Sequence, residues 1–396
     1  MDLELDDEAL AFRDEVRAWL AANVPDPPLP SMDTEEGFRR HREWERHLAD
    51  ARLSVVTWPE RYTGREASLL QWVLFEEEYY AAGAPGRVGQ NGLFLLAPTL
   101  FAHGTQEQRD RLLPAMARGE QVWAQAWSEP EAGSDLAAIR STAVRTDGGW
   151  LLSGQKTWSS RAAFADKGFG LFRSDQQAHR HRGLTYAMFD LRAEGVSIRP
   201  IAQLDGDPGF AEIFLDEVFV PDHDIIGEPG EGWRVAMSTA NNERGLSLRS
   251  PGRFLATAER LRKLWKERGD ATDTSTQDRV VDAWIRARAY QLYTFTTLTR
   301  LSEGESLGPE SSVTKLFWSR LDTAMQETAL DLLGPESELA GEAAVEGGKW
   351  ADGYLFSLAG PIYGGTDQIQ RNTIAERLLG LPKEPRPAAR SEGAAS

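Results

Sequence analysis

From Asp7 onward the apolar residues Leu10, Phe12, Val16, Trp19 and Leu20 return at close to helical spacing, behind an acidic opening that suits the positive end of a helix. The string PDPPLP breaks that pattern. A second amphipathic stretch sets Phe38, Trp44 and Leu48 on one side, WPERYTGREAS supplies a turn-rich connection, and QWVLFEEEYYAAG resumes helix. Thr105, with Gln108 three residues on, predicts a capping box at HGTQEQRDRLLPAM. Residues 1–120 therefore read as a helical domain.

Near Gln121 the period changes. STAVRTDGGWLLSGQKTW places Asp-Gly-Gly between two runs of β character, which predicts a hairpin. GFGLF, LTYAMFD, VSIRPI and AEIFLDEVFVP follow at short intervals and end near Pro221, so residues 121–228 read as an antiparallel β-domain inserted between helical ones. GEPGEGWRVAMSTANNERGLS returns to helix. Val281, Trp284, Ile285, Leu292 and Phe295 keep helical spacing in one long segment, and Leu321, Met325, Ala329 and Leu332 do so in the next. With a helix after Thr366 these predict a four-helix bundle over 229–382. Residues 383–396 form a low-complexity tail expected to be disordered. The fold class is mainly α with an inserted β-domain.

Charge narrows the partners. The 396-residue chain carries a formal net charge of -17, which would repel nucleic acid and anionic membrane, so an anionic cofactor must be held by local basic groups or helix starts. It has no cysteine, which excludes disulfides, thiolate metal sites and a cysteine nucleophile. His41, His47 and His103 are scattered singly and do not form a metal set. MDLELDDEAL is neither a secretory signal nor an Arg-rich transit peptide, no apolar run approaches a membrane span, and the expected compartment is cytoplasmic.

Three strings carry candidate chemistry. In PIYGGTDQIQ, Gly364 and Gly365 permit backbone conformations closed to other residues, and Thr366 offers an N-cap. The free N–H groups of such a helix start suit a phosphate, a flavin edge or a thioester oxygen, although glycines alone mark no more than a tight turn. AQAWSEPEAGSDLA, from Ala124, joins a strand end to a Pro and Gly turn and leaves amides and the hydroxyls of Ser128 and Ser134 free for a ligand; its bland reading is a polar connecting loop. GQKTWSSRAAFAD places Trp158 two residues before Ser160. An indole there can cover one face of an isoalloxazine while a hydroxyl bonds the ring nitrogen that receives hydride. In a chain with thirteen tryptophans a strand Trp is more often core.

Taken whole, YGGTDQIQRNTIAERLLGLP closely resembles the C-terminal signature of the acyl-CoA dehydrogenases, flavoproteins that oxidise an acyl-CoA to its 2-enoyl thioester. The other two strings resemble that family's flavin-binding segments. WPERYTGR, HGTQEQRDRLLP and VFVPDHDIIGEPGEGW resemble further family segments, so the similarity runs from about Asp7 to Pro382. It implies a helical N-terminal domain, a barrel-like antiparallel middle domain and a C-terminal four-helix bundle, with FAD as cofactor. It implies that Gln125, Trp127, Ser128, Gly133 and Ser134 line the flavin, Ser134 being shared with the CoA side, and that Trp158, Ser159 and Ser160 lie at its dimethylbenzene and N5 region. Thr366 and Gln368 would contact a flavin, partly a neighbouring subunit's. The implied partners are an acyl-CoA substrate, an electron-transfer flavoprotein or similar acceptor, and further subunits: a homotetramer, a homodimer or a heteromer.

The implied reaction needs a carboxylate to remove the α-proton of the thioester, and hydrogen bonds to its carbonyl oxygen as enolate character develops. Many relatives place that glutamate just before the Gly-Thr of the signature, where this chain has Gly364. Isovaleryl- and long-chain-type members place it on a bundle helix before an arginine, and NNERGLS offers Glu243 and Arg244 there. Without the resemblance, an adjacent Glu-Arg pair is commonly a solvated one. The expectation is Glu243 as base, Arg244 orienting it or touching substrate, and the Gly364–Gly365 turn facing the thioester. Three features depart from the family: no Arg-x-x-Phe-Gly string, LLGPESELAGE in place of a glycine-rich turn, and Arg161 where asparagine is usual. Two other functions stay open, a flavin monooxygenase or oxidase on the same fold and a non-catalytic subunit of a heteromeric dehydrogenase.

Overall fold

The computed structural model describes residues 4–243, 250–305 and 308–383, the side chains of 241–243 excepted. The N-terminal domain holds α1 (Asp7–Asn23), α2 (Glu35–Asp50), α3 (Leu69–Ala81), α4 (Ala97–His103) and α5 (Gln106–Ala117). The starts of α1, α2, α3 and α5 are capped by side chains. Asp6 accepts from the Ala9 N–H at 2.8 Å, and Ser68 and Thr105 each complete a capping box, the second at the predicted place. Phe12, Val16 and Leu20 of α1 meet Trp44 and Leu48 of α2 and Trp72, Phe75 and Tyr79 of α3 in one buried cluster. A π-helical turn, Gly92–Leu96, leads into α4.

The middle domain is one sheet of β1 (Trp123–Ala126), β2 (Thr142–Thr146), β3 (Gly149–Ser160), β4 (Lys167–Arg173), β5 (Leu184–Asp190), β6 (Val196–Ile201), β7 (Phe210–Pro221) and β8 (Ile225–Ile226). Its order is β6-β7-β3-β2-β4-β5-β8, with β1 beside β4. The predicted hairpin is present: Thr146 pairs with Gly149 across Asp147 and Gly148, whose φ is 70°. Two expectations are corrected. The sheet is not closed into a barrel, because it ends on the two-residue β8 at one side and on β6, which carries Pro200 and faces solvent, at the other. Nor is it wholly antiparallel, since β1 runs parallel to β4 over Trp123–Ala126, and Thr142 of β2 meets Arg173 of β4 in a parallel register. Hairpin signals concern neighbours in the chain and do not register such long-range pairings.

The C-terminal part holds α6 (Gly232–Glu243), α7 (Pro251–Arg268), α8 (Thr274–Ser302), α9 (Ser311–Leu333), α10 (Lys349–Ser357) and α11 (Asp367–Thr373). Phe254, Leu261, Tyr290, Trp318, Leu321 and Met325 form its core across α7, α8 and α9, with the shorter α10 and α11 packed along α9. Leu321, Met325 and Ala329 are buried as predicted. In α8 the helix is where the spacing places it, but the buried face is another one: Val280, Ala283, Ala287, Tyr290, Thr294 and Leu298. Val281, Trp284, Ile285 and Leu292 are 43–54 % exposed. Alanines on the inner face let α7 and α8 approach closely, and the bulkier residues are left pointing outward. No helix among the described residues is long and apolar enough to cross a membrane. The predicted tail lies outside the described residues except for Lys383.

Candidate active site

Two of the three predicted strings come together. The Thr157 N–H donates to the Ser128 carbonyl at 2.9 Å, joining the loop after β1 to the end of β3. Behind this junction Lys156 Nζ lies 2.8 Å from Glu129 Oε1 and 2.8 Å from the Leu171 carbonyl, over the Phe172 ring. Glu129 also accepts from the Arg140 and Ser141 N–H groups at 2.6 and 3.0 Å. Burial by itself would raise the Glu129 pKa, but Lys156 and these donors hold it below the ordinary carboxylate value. Both residues stand inside the quoted strings, yet no spacing signal marks them as partners.

At the end of β3 the pairing with β7 shifts register between Lys156 and Ser159, and Trp158 within the shift has a φ of 58°. Such a bulge re-aims side chains: Trp158 stands 60 % exposed with an edge contact to Phe210, Ser159 is fully buried, and Ser160 is half-buried. Two polar groups are left over, since neither the buried Gln125 Nε2 nor the Ser159 hydroxyl has a partner among the described residues. In the loop after β1, Gly133 and Ser134 are exposed and Ser128 is half-buried. Trp127 is half-buried, and its Nε1 donates to the Tyr186 hydroxyl at 3.2 Å. An accessible indole on a strained bulge, flanked by an unspent amide donor and unspent hydroxyls, fits a planar group with hydrogen-bonding edges, as a flavin is. Arg161 has a structural explanation: its Nη1 reaches Asp33 Oδ1 at 3.1 Å and ties this strand end to the turn before α2.

The third string is built on the bundle. Gly364 and Gly365 have φ of 63° and 85°, conformations that L side chains rarely adopt. Thr366 caps α11 as predicted, accepting from the Ile369 N–H at 3.3 Å, and Gln368 is exposed on the first turn. Gln370 Nε2 clamps the turn from below through the Gly364 and Gly365 carbonyls at 2.9 and 3.1 Å, while Lys315 of α9 holds Asp367 at 3.1 Å. The carbonyl oxygens of the turn are thus occupied. The Gly364 and Gly365 N–H groups have no acceptor among the described residues. The bonds of Thr366, Asp367 and Gln370 stay within this turn and α9, so the structure does not join the turn directly to the β1 and β3 segments.

Glu243 is the last residue of α6; its side chain, and Arg244 entirely, lie outside the described residues. The preceding turn of α6 is held by buried hydroxyls. Thr239, one turn earlier, is fully buried and lies 2.7 Å from the Thr99 hydroxyl and 3.2 Å from the Tyr186 hydroxyl. Since Tyr186 also receives the Trp127 indole N–H, α6 is bonded through one side chain to the predicted flavin segment. Lone hydroxyls at 99, 186 and 239 carry no motif, and only the contacts reveal them.

Comparison with known proteins identifies the family. Residues 6–120, 124–218 and 230–379 match, in turn, the N-terminal, middle and C-terminal domains of acyl-CoA dehydrogenase. Acyl-CoA dehydrogenase IpdE1 of Mycolicibacterium smegmatis is 39% identical over 95% of this chain and 99% of its own length. Acyl-CoA dehydrogenase FadE34 of Mycobacterium tuberculosis is 40% identical over 85% of this chain and 46% of its own. Among solved structures, the Tcur3481-Tcur3483 steroid ACAD superposes with a TM-score of 0.87 at 25% identity, over 97% of this chain and 100% of that one. The ChsE4-ChsE5 complex from Mycobacterium tuberculosis gives 0.82 at 26% identity, over 97% and 100%. With all three domains matched in order and near-complete coverage of a 39% identical relative, the chain belongs to the acyl-CoA dehydrogenase family.

Proposed function

We propose that this flavoprotein desaturates an acyl-CoA thioester between its α and β carbons, with Glu243 as the base. The observation that carries this reading is the bonding of α6, the helix ending at Glu243, to the flavin segment through Thr239, Tyr186 and Trp127, in a chain whose signature position has Gly364 in place of a carboxylate. FAD, when bound, accepts the hydride that leaves the β-carbon. Gln125, Trp127, Ser128, Gly133, Ser134 and Ser160 hold it from the β-domain, Trp158 covers it, and Thr366 and Gln368 meet a flavin from the bundle side. The Glu243 carboxylate takes the α-proton. Substrate that displaces water from this carboxylate penalises its charged form and raises its pKa toward what proton removal needs. The unspent Gly364 N–H donates to the thioester oxygen as negative charge gathers there, and Arg244 orients Glu243 or contacts substrate.

Electrons then pass to an electron-transfer flavoprotein or similar acceptor. The exposed Trp284, Ile285 and Leu292 face of α8 is the proposed surface for subunit association, being a contiguous apolar stripe on a helix already packed on its other side. Two similar structures, the Tcur3481-Tcur3483 steroid ACAD and the ChsE4-ChsE5 complex, are each named for two proteins, so a related second subunit is to be tested beside self-association.

Anaerobic titration of the yellow protein with straight-chain, branched, aromatic and steroid-derived acyl-CoAs tests the reading: at least one bleaches the flavin, and Glu243→Gln keeps FAD and binds that thioester yet loses nearly all turnover. A Glu243→Gln protein reducing its flavin at the parent rate removes Glu243 from the mechanism. Oxygen consumption by the reduced flavin without acyl-CoA bleaching would instead indicate oxygen activation, and a colourless protein a non-catalytic subunit.

A further inference from the structure

Five groups form one row, buried at its three hydroxyls, where the three parts of the fold meet. Trp127 Nε1 is 3.2 Å from the Tyr186 hydroxyl, that hydroxyl is 3.2 Å from Thr239 Oγ1, Thr239 Oγ1 is 2.7 Å from Thr99 Oγ1, and Thr99 Oγ1 is 2.7 Å from the Leu95 carbonyl. The two ends favour one direction. An indole N–H only donates and a carbonyl only accepts, so the row satisfies every member when the hydroxyls donate in one direction: Tyr186 to Thr239, Thr239 to Thr99, Thr99 to Leu95. The other acceptor for Thr239, the Val235 carbonyl on its own helix, is farther at 3.2 Å. Thr99, Tyr186 and Thr239 are all 0% exposed, so water cannot replace a missing member, and bonds aligned this way polarise one another.

The row has one member on each part that must be in register. Trp127 belongs to the flavin segment, Tyr186 to β5, Thr239 to α6 one turn before Glu243, and Thr99 and Leu95 to α4 and its π-helical turn. A π turn is a local departure from the helix ladder that recurs at functional sites, and here its last carbonyl but one terminates the row. We propose that Thr239 and Tyr186 are positioning residues for α-proton transfer: their hydrogen bonds set where the end of α6 stands relative to the flavin segment, and hence where the base meets the substrate. This rests on Glu243 being the base.

Thr239→Val keeps the side-chain shape and removes the hydroxyl, Thr239→Ser keeps the hydroxyl, and Tyr186→Phe breaks the row at its neighbour. Each is loaded with FAD and mixed anaerobically with the acyl-CoA that bleaches the parent protein fastest, unlabelled or deuterated at the α or the β carbon. The expected result for Thr239→Val and Tyr186→Phe is full FAD content, acyl-CoA binding within about twofold, and flavin reduction slowed about 10- to 100-fold, the scale expected of a misplaced catalytic group. The α-deuterium isotope effect rises and the β effect does not, because only the proton step has lost its geometry. Thr239→Ser restores the rate to within about threefold of the parent. A loss of thermal stability without those rate and isotope changes, or Ser failing where Val fails, overturns the proposal. Glu243→Gln run in parallel separates the two claims: if it stays active the base assignment fails, and if it is inactive while both row variants reduce flavin normally, only the positioning role fails.

Discussion

Lys156 and Glu129 form a 2.8 Å ion pair with the lysine wholly out of solvent, and the chain on either side of the pair carries the proposed flavin segments, Ser128 next to Glu129 and Trp158 two residues beyond Lys156. The pair therefore clamps the loop after β1 to β3, the two segments proposed to hold the cofactor. Removing one partner leaves a buried charge without compensation, which costs about 3–5 kcal/mol. Lys156→Met and Glu129→Gln are each expected to lower the unfolding temperature by several degrees and to release FAD, whereas the double substitution loses less than the sum. Differential scanning calorimetry with flavin absorbance of the filtrate measures both. The Glu129 pKa is held below its unfolded value, so this contribution is complete above the unfolded carboxylate pKa and is lost as pH falls through the lower folded one. FAD retention should decline only on acidification into that range.

Much of this arrangement could be read before the structure, and the reason differs from element to element. Thr105 with Gln108 and Asp147 with Gly148 are local devices, made and satisfied within a few residues, so they appear as written. The position of Trp158 was legible through resemblance, but its bulge and positive φ arise from pairing with β7, fifty residues on. The α8 face misled because spacing locates a stripe of large apolar residues without saying what it meets; the bundle takes the stripe containing Ala283 and Ala287. The row from Trp127 to Leu95 draws one group from each of several distant segments, and no one-dimensional pattern could have marked it.

Glu76 on α3 is 6% exposed, and burial pushes its pKa up to about 7 despite the opposing pull of the Arg87 guanidinium. The raised value means that the folded protein holds a proton there that the unfolded chain gives up between about pH 4.5 and 7. Stability from this residue is thus greatest at acid pH and is lost as pH climbs through that window. Glu76→Gln, which is neutral at every pH, should leave the unfolding temperature nearly unchanged at pH 5 and raise stability by about 1–3 kcal/mol at pH 8. Chemical denaturation of both proteins at the two pH values checks it; a gain at pH 5 equal to that at pH 8 would show that the carboxyl does not titrate as described.

The outward stripe of α8 gives a prediction about assembly. Trp284 and Ile285 are 45% and 54% exposed on a helix whose opposite face is already packed, so charged residues there should leave the fold of one subunit intact. Trp284→Glu together with Ile285→Glu is expected to reduce the assembly measured by analytical ultracentrifugation to smaller species with unchanged far-ultraviolet circular dichroism. If the sedimentation coefficient does not change, subunits associate through another face.

Gly364 offers a last test, because it occupies the place where many relatives carry the base. The resemblance implies that a carboxylate before the Gly-Thr step in some members and one on the bundle helix in others serve the same α-carbon. Gly364→Glu in a Glu243→Gln background should therefore return part of the lost flavin reduction. The return is expected to be small. Gly364 has a φ of 63°, which costs an L residue about 1–2 kcal/mol, so the new side chain either strains the turn or moves it away from its Gln370 clamp. Gly364→Ala in the same background bears the backbone penalty without a carboxylate. Stopped-flow reduction faster in the Glu variant than in the Ala variant, at equal FAD content, would place the turn and α6 on either side of one reacting carbon. Equal rates at equal acyl-CoA affinity would mean that the turn of this chain does not face that carbon, and the Gly364 N–H would then lose its assigned thioester contact as well.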